Sequence, residues 1–238
     1  MSFLRGNNVT LVIGEDKGIT MQGLIGKKIG MTRVFEQETG KSVAVTVIQV
    51  GNNIVHQVKT IVNDGYAAVQ LGYGAIAENK TTKAITGHCK KHGNAPTRVM
   101  REFALDFAEE QVQPGSPIGP ELFENVKLVD VIGISKGRGF AGNIKRHHFM
   151  RGRESHGNTN VREHGSIGSN TYPAHVFKGL RMAGHLGNGQ VTTRNLGLFG
   201  IDKKAGLVFI KGAVPGATRG VVFIRKSKQE KADRGDRS

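Results

Sequence analysis

The sequence contains no tryptophan, a single cysteine (Cys89), six prolines and little acid: 19 Asp and Glu stand against 34 Lys and Arg among 238 residues. One cysteine excludes a disulfide within the chain, and with it the framework that holds small secreted domains together. Long apolar runs are missing too. Val43–Val50, "VAVTVIQV", is far shorter than the roughly 18 residues of a membrane-spanning helix, so no membrane is expected among the partners. The shortage of acid leaves a net charge of +15, well beyond what solubility requires. Such an excess is directed at a large anionic partner, nucleic acid ahead of a membrane surface.

Residues 1–20 lack the basic region, apolar block and cleavage site of a secretory signal, and Glu15 and Asp16 argue against a transit peptide. They read as an N-terminal extension ahead of Met21, and the cytosol is the expected compartment. In "HCKKH", His88, Cys89 and His92 could suggest a metal site. Structural zinc takes four ligands, however, and no second cluster is spaced to complete the set. A polar turn is expected there, with no metal and no cofactor.

What the chain does have is a series of short β-branched runs broken by turn residues. "MTRVF", "SVAVTVIQV", "NIVHQVKTI" and "YAAVQLGY" are separated by "EQETGK", "GNN" and "NDG", the pattern of successive antiparallel strands. "KLVDVIGIS", "NLGLFGID", "AGLVFIKGAV" and "GVVFIRK" add further strands, and "GPELFENV" one short helix. Alternation of strands with long helices is absent, which removes a doubly wound α/β fold and predicts a mainly β protein, a barrel or sandwich. The expected globular domain covers 21–135 and 191–227, with a polar, irregular or helical insertion over about 77–97 and a mobile tail at 228–238.

Residues 136–190 are different. Nine basic residues (Lys136, Arg138, Lys145, Arg146, Arg151, Arg153, Arg162, Lys178 and Arg181) against two acidic ones leave +7. Six of the nine histidines (His147, His148, His156, His164, His175 and His185) and eleven of the 34 glycines also fall here. Loops this long are rare in compact domains and are usually functional or disordered. Yet Phe140, Ile144, Phe149, Ile167, Tyr172, Val176, Phe177 and Met182 give the segment more apolar anchors than a solvating tail carries. A segment that orders against a partner reconciles the two. A hairpin with arms of about 20 residues would reach roughly 60–70 Å.

Two enzyme motifs overlap at its start. Gly137, Gly139 and Gly142 spell G-x-G-x-x-G, and Gly133, Ser135 and Gly137 spell G-x-S-x-G. The first needs a helix opening at the turn and a further strand of a βαβ unit; the second needs a helix directly after the serine in a parallel sheet. Neither context occurs in the sequence, so no catalytic residue and no small-molecule substrate are expected. The residues fit RNA contact instead. Lys and Arg meet phosphates, Gly137, Gly139 and Gly142 let the backbone come close, and rings stack on unpaired bases.

From Met21 to Ser227 the chain resembles the bacterial-type large ribosomal subunit protein L-three family. Phe123, Asp130, Gly133, Ser135, Gly137, Arg138, Gly139, Gly142 and Arg146 stand at the family spacing, as do "GLIGKKIGMTRVF", "NDGYAAVQLGYG", "HGSIGSN", "VFKGLRMAGHLGN" and "IKGAVPGA". The resemblance implies a six-stranded barrel of the translation-protein type whose long internal loop enters large-subunit ribosomal RNA and approaches the peptidyl transferase centre. It further implies a role early in subunit assembly and ribosomal proteins L-fourteen and L-nineteen as neighbours, in the cytoplasm or in an organelle, with no homo-oligomer expected. On this reading the RNA-contacting set is the nine loop cations with His147, His148, His164, Asn170, Thr171, Tyr172, His175 and His185, together with Lys27 and Lys28. Gly165 and Gly168 join the three earlier glycines as points of close backbone approach. The rival to a ribosomal role is a general nucleic-acid chaperone.

One stretch departs from the family. Many bacterial members carry "GQNQTPG" at the loop tip, its second glutamine methylated on the side-chain amide, where this chain has "GSNTYPA" (Gly168–Ala174). Thr171 has no amide to methylate. A peptide mass over residues 166–178 is expected to show no added methyl group, and Tyr172 offers ring surface for RNA at the tip.

Overall fold

Short strands leave hydrogen-bonding edges exposed, and the complete remedy is to close the sheet on itself. The computed structural model describes residues 21–36, 40–51, 53–105 and 112–229. The proposed extension at 1–20 and most of the proposed tail, 230–238, lie outside the described residues. In chain order the elements are β1 (Gly23–Phe35), β2 (Ser42–Gln49), β3 (Asn53–Lys59), α1 (Ile61–Asp64), β4 (Ala68–Ala75), α2 (Lys83–Lys91), β5 (Thr97–Ala104), β6 (Pro117–Ile118), β7 (Leu128–Ile134), β8 (Phe140–Ala141), α3 (Asn143–His147), β9 (Gly184–His185), β10 (Gln190–Asp202), β11 (Leu207–Lys211) and β12 (Val221–Lys226). Short 3-10 turns lie at Glu78–Lys80 and Pro120–Phe123. The fold is mainly β, as the sequence predicts, with a closed six-stranded barrel in the order β1-β12-β7-β10-β11-β2 and a separate sheet in the order β5-β4-β3-β6. No helix among the described residues is long and apolar enough to cross a membrane.

The described chain divides into two compact units. One comprises the described residues up to Ile25, Val50–Val126 and Ile201–Leu207; the other comprises Gly26–Gln49, Lys127–Gly200 and everything from Val208 onward. In the first, β3, β4 and β5 pair antiparallel, and Val55, Val69, Leu71 and Phe123 are fully buried. Each such side chain contributes about 1.5–3 kcal/mol relative to exposure. Asn53 enters this core as a polar residue but is fully used. Its amide donates to Ile25 O and Val50 O, both at 3.1 Å, and its carbonyl accepts from Ile25 N at 3.1 Å. Thr82 caps α2 by accepting from Ile85 N, and its last turn carries His88, Lys90 and Lys91, charges that suit a helix C-terminus. The "HCKKH" stretch is therefore the end of a helix and not a polar turn: Cys89 is buried, while the His88 and His92 rings meet edge to face at 5.4 Å.

The second unit is filled by inward residues of its strands, among them Val45, Ile48, Val129, Val131, Val208, Ile210 and Ile224. The register of β10 against β7 slips between Thr193 and Leu196. Asn195 sits at the slip with a left-handed backbone (φ 56), held because its N–H donates to Asp130 Oδ1 at 2.9 Å while Ser227 Oγ donates to Asn195 Oδ1 at 2.6 Å. The buried Asp130 also faces Arg225 at 3.6 Å. A bulge of this kind bends the strand, and it lies just beyond the point where the 136–190 loop leaves the barrel.

Candidate nucleic-acid interface

The loop leaves β7 at Ser135 and returns at β10, and its base is a two-stranded ribbon. Ser135 N donates to Gly189 O (2.9 Å), Arg138 N to Leu186 O (2.8 Å) and Leu186 N to Gly139 O (2.9 Å), after which β8 pairs with β9, Phe140 opposite His185. Ser135 Oγ donates to Gly189 O at 3.1 Å and accepts from Gly189 N at 3.3 Å. The hydroxyl that a nucleophile elbow would present is thus spent closing the ribbon. Gly187 (φ 76) crosses so near the opposite arm that a Cβ would collide with Lys136 O and lie 3.0 Å from Gly137 Cα. Glycine is needed there on both counts. Gly142 leads into the five-residue α3, and the strands on either side of the loop pair antiparallel. The βαβ unit of a dinucleotide site is not what these glycines serve.

Beyond the ribbon the arms are held by side chains. Arg146 Nη1 donates to Met182 O at 2.6 Å, His147 Nε2 to the same oxygen at 3.0 Å, and His164 Nε2 to Arg181 O at 2.7 Å. Because a carbonyl only accepts, the ring nitrogens of His147 and His164 that face these oxygens carry the proton. Phe149 packs edge-on against His164 at 5.3 Å, and Gly152 N donates to Val161 O at 3.0 Å. Three of the residues expected to touch RNA therefore act, at least in part, as ties between the two arms. The sequence offered no sign of it, since a cation spent on a carbonyl 36 residues away looks the same as a free one.

The remaining expected residues stand free. Lys136, Arg138, Lys145, His148, Arg151, Arg153, Arg162, Asn170, Thr171, Tyr172, His175, Lys178, Arg181 and His185 are all exposed, although Arg151 pairs with Glu154. Gly137, Gly139, Gly142, Gly165 and Gly168 are exposed as well. Between 136 and 190 the only buried residue is Ala141. Phe140, Met150, Tyr172 and Phe177 are open to solvent, Tyr172 by 90%. His175 packs edge-on against Phe177 at 5.5 Å and donates from Nδ1 to Pro173 O at 2.7 Å, which presents a small aromatic surface near the tip.

Lys28 is different. It is 9% exposed, and its ammonium turns inward to donate to Val214 O at 2.7 Å and Gly216 O at 3.4 Å. Burial first, and then the charge of Lys136, hold its pKa below the usual lysine value. Its role in this structure is to anchor the turn after β11, whereas its neighbour Lys27 faces outward.

A closed barrel carrying a long, cation-rich loop that ties its own arms together yet buries almost nothing is a scaffold built to meet a polyanion. A profile of the family described as ribosomal protein L3 matches residues 101–207. The large ribosomal subunit protein uL3 of Syntrophus aciditrophicus is 45% identical over 215 residues, covering 90% of this chain and 98% of the relative. That of Nitrosomonas europaea is 50% identical over 207 residues, 85% of this chain and 95% of the relative. The chain belongs to the ribosomal protein L3 family.

Proposed function

We propose that the protein is a structural, non-catalytic constituent of the large ribosomal subunit, and that its 136–190 loop binds large-subunit ribosomal RNA directly. One observation carries this reading: the segment with a net charge of +7 is internally tied but keeps a single buried residue, so its charges and rings have no protein core to serve. Nine cations held in one loop repel one another, and phosphates relieve that repulsion while releasing counterions. Exposed glycine backbone permits close approach, and Tyr172, His175 and Phe177 offer faces for unpaired bases. Family membership supports the large subunit as the site of action, an early role in its assembly, and a loop that helps shape the surroundings of the peptidyl transferase centre alongside neighbouring ribosomal proteins.

Sedimentation of a lysate through sucrose after a salt wash tests the assignment. The protein is expected to stay with large subunits and whole ribosomes at high salt, because a loop threaded among RNA helices cannot leave by ion exchange alone. Release to the top of the gradient at moderate salt would instead identify a loosely bound nucleic-acid chaperone.

A further inference from the structure

Outside the loop, the second unit carries a cleft of about 750 Å³ lined by Lys27, Lys28, Ile29, Gln49, Thr218 and Arg219. We propose that this cleft is a second RNA-backbone site, in which Lys27 and Arg219 hold phosphodiester groups against the barrel independently of the loop.

Its walls are fixed in advance. Lys28 N donates to Gly220 O at 2.9 Å and Arg219 N donates to Lys28 O at 2.7 Å, while the Lys28 ammonium reaches the carbonyls of Val214 and Gly216. One residue of β1 thus fastens the whole 214–220 turn, so little ordering cost falls on a ligand. With Lys28 consumed internally, the available charges are Lys27 and Arg219. Neither has an ion pair among the described residues, and no carboxylate lines the cleft.

Arg219 also holds a left-handed backbone, φ 64, a conformation that glycine adopts at lower cost. The fold alone would be served by glycine; the arginine side chain serves something else. Thr218 and Gln49 add polar groups at the rim, and Ile29, 47% exposed, gives an apolar floor suited to a ribose face. The volume exceeds what one inorganic phosphate fills and suits a short stretch of nucleic-acid backbone. Lys136 adds to the field, since its charge is felt at Lys28.

The inference rests on the proposed binding of RNA by the loop, and full-length protein titrated with large-subunit ribosomal RNA over a series of salt concentrations separates the two. Lys27→Gln with Arg219→Gln is expected to reduce the log–log salt slope by roughly 1.4–1.8, at about 0.7–0.9 per phosphate contact. Lys27→Arg with Arg219→Lys keeps the charges and should keep the wild-type slope. Arg219→Gly is the decisive single variant: thermal stability should hold or rise, while the slope falls by roughly 0.7–0.9. If wild type binds and the two charge-removing variants show its slope unchanged, the cleft is not a phosphate site, although the loop proposal stands. If wild type fails to bind ribosomal RNA even at low salt, both proposals fall.

Discussion

With Lys136, Arg138, Lys145 and Arg153 all replaced by glutamine, the protein is expected to bind large-subunit ribosomal RNA with a log–log salt slope shallower by roughly 2.8–3.6 than wild type. These four are exposed, and none belongs to the side-chain ties of Arg146, His147 and His164. The substitution removes charge and leaves the ribbon and its clamps in place. Extrapolated from 1 M to 0.15 M salt, such a change in slope amounts to roughly a 200- to 900-fold loss of affinity. Equal slopes for variant and wild type would show that the loop cations meet no phosphates. Arg146→Gln serves as the contrast: it frees Met182 O and loosens the arms, so its main signature is faster amide exchange at Leu186 and Arg138, whose N–H groups hold the ribbon.

The barrel was legible because runs such as "SVAVTVIQV" combine β-branched residues with turn signals at both ends, and local chemistry suffices to make them strands. Their division between two sheets was not. β3 and β4 form a hairpin that reads the same whichever sheet it joins, and the choice depends on non-local partners: β5 beside β4 and β6 beside β3. β5 itself is hard to see in sequence, because "TRVMREFA" places Arg98, Arg101 and Glu102 among its apolar residues and buries only Thr97 and Phe103. In the loop, charge was legible and its allocation was not. Lys28 and Arg146 are spent on backbone carbonyls 186 and 36 residues away, and nothing in the nearby sequence marks them apart from Lys27 or Lys145. The residues that carry the family resemblance turn out to be fasteners: Asp130 pins the β10 bulge, Ser135 closes the ribbon and Phe123 fills the core.

Gly72→Ala is expected to be the most damaging single methyl group that can be added to the first unit. Gly72 lies in β4 between Ile54 of β3 and Met100 of β5. A Cβ there would fall inside the contact distance of the His56 ring and 2.5 Å from Thr97 Oγ1. His56 is fully buried at the point where the β3 register slips, and its Nε2 lies 2.9 Å from that same hydroxyl. The ring has no room to retreat. Overpacking costs about 1–3 kcal/mol and a broken buried hydrogen bond about 1–3 more. A loss near 3 kcal/mol corresponds to roughly 6–12 °C in a chain of this size. Removing the ring should relieve the clash, so His56→Ala with Gly72→Ala should melt no lower than His56→Ala alone; additive losses would overturn the packing account. Acid strikes the same spot. Burial, reinforced by the nearby His88 and His92, holds the His56 pKa below its usual value, so the unfolded chain takes up the proton first. The stability of wild type is therefore fully present above pH about 6.5 and declines as pH falls below it, whereas His56→Ala should lose that part of the pH dependence.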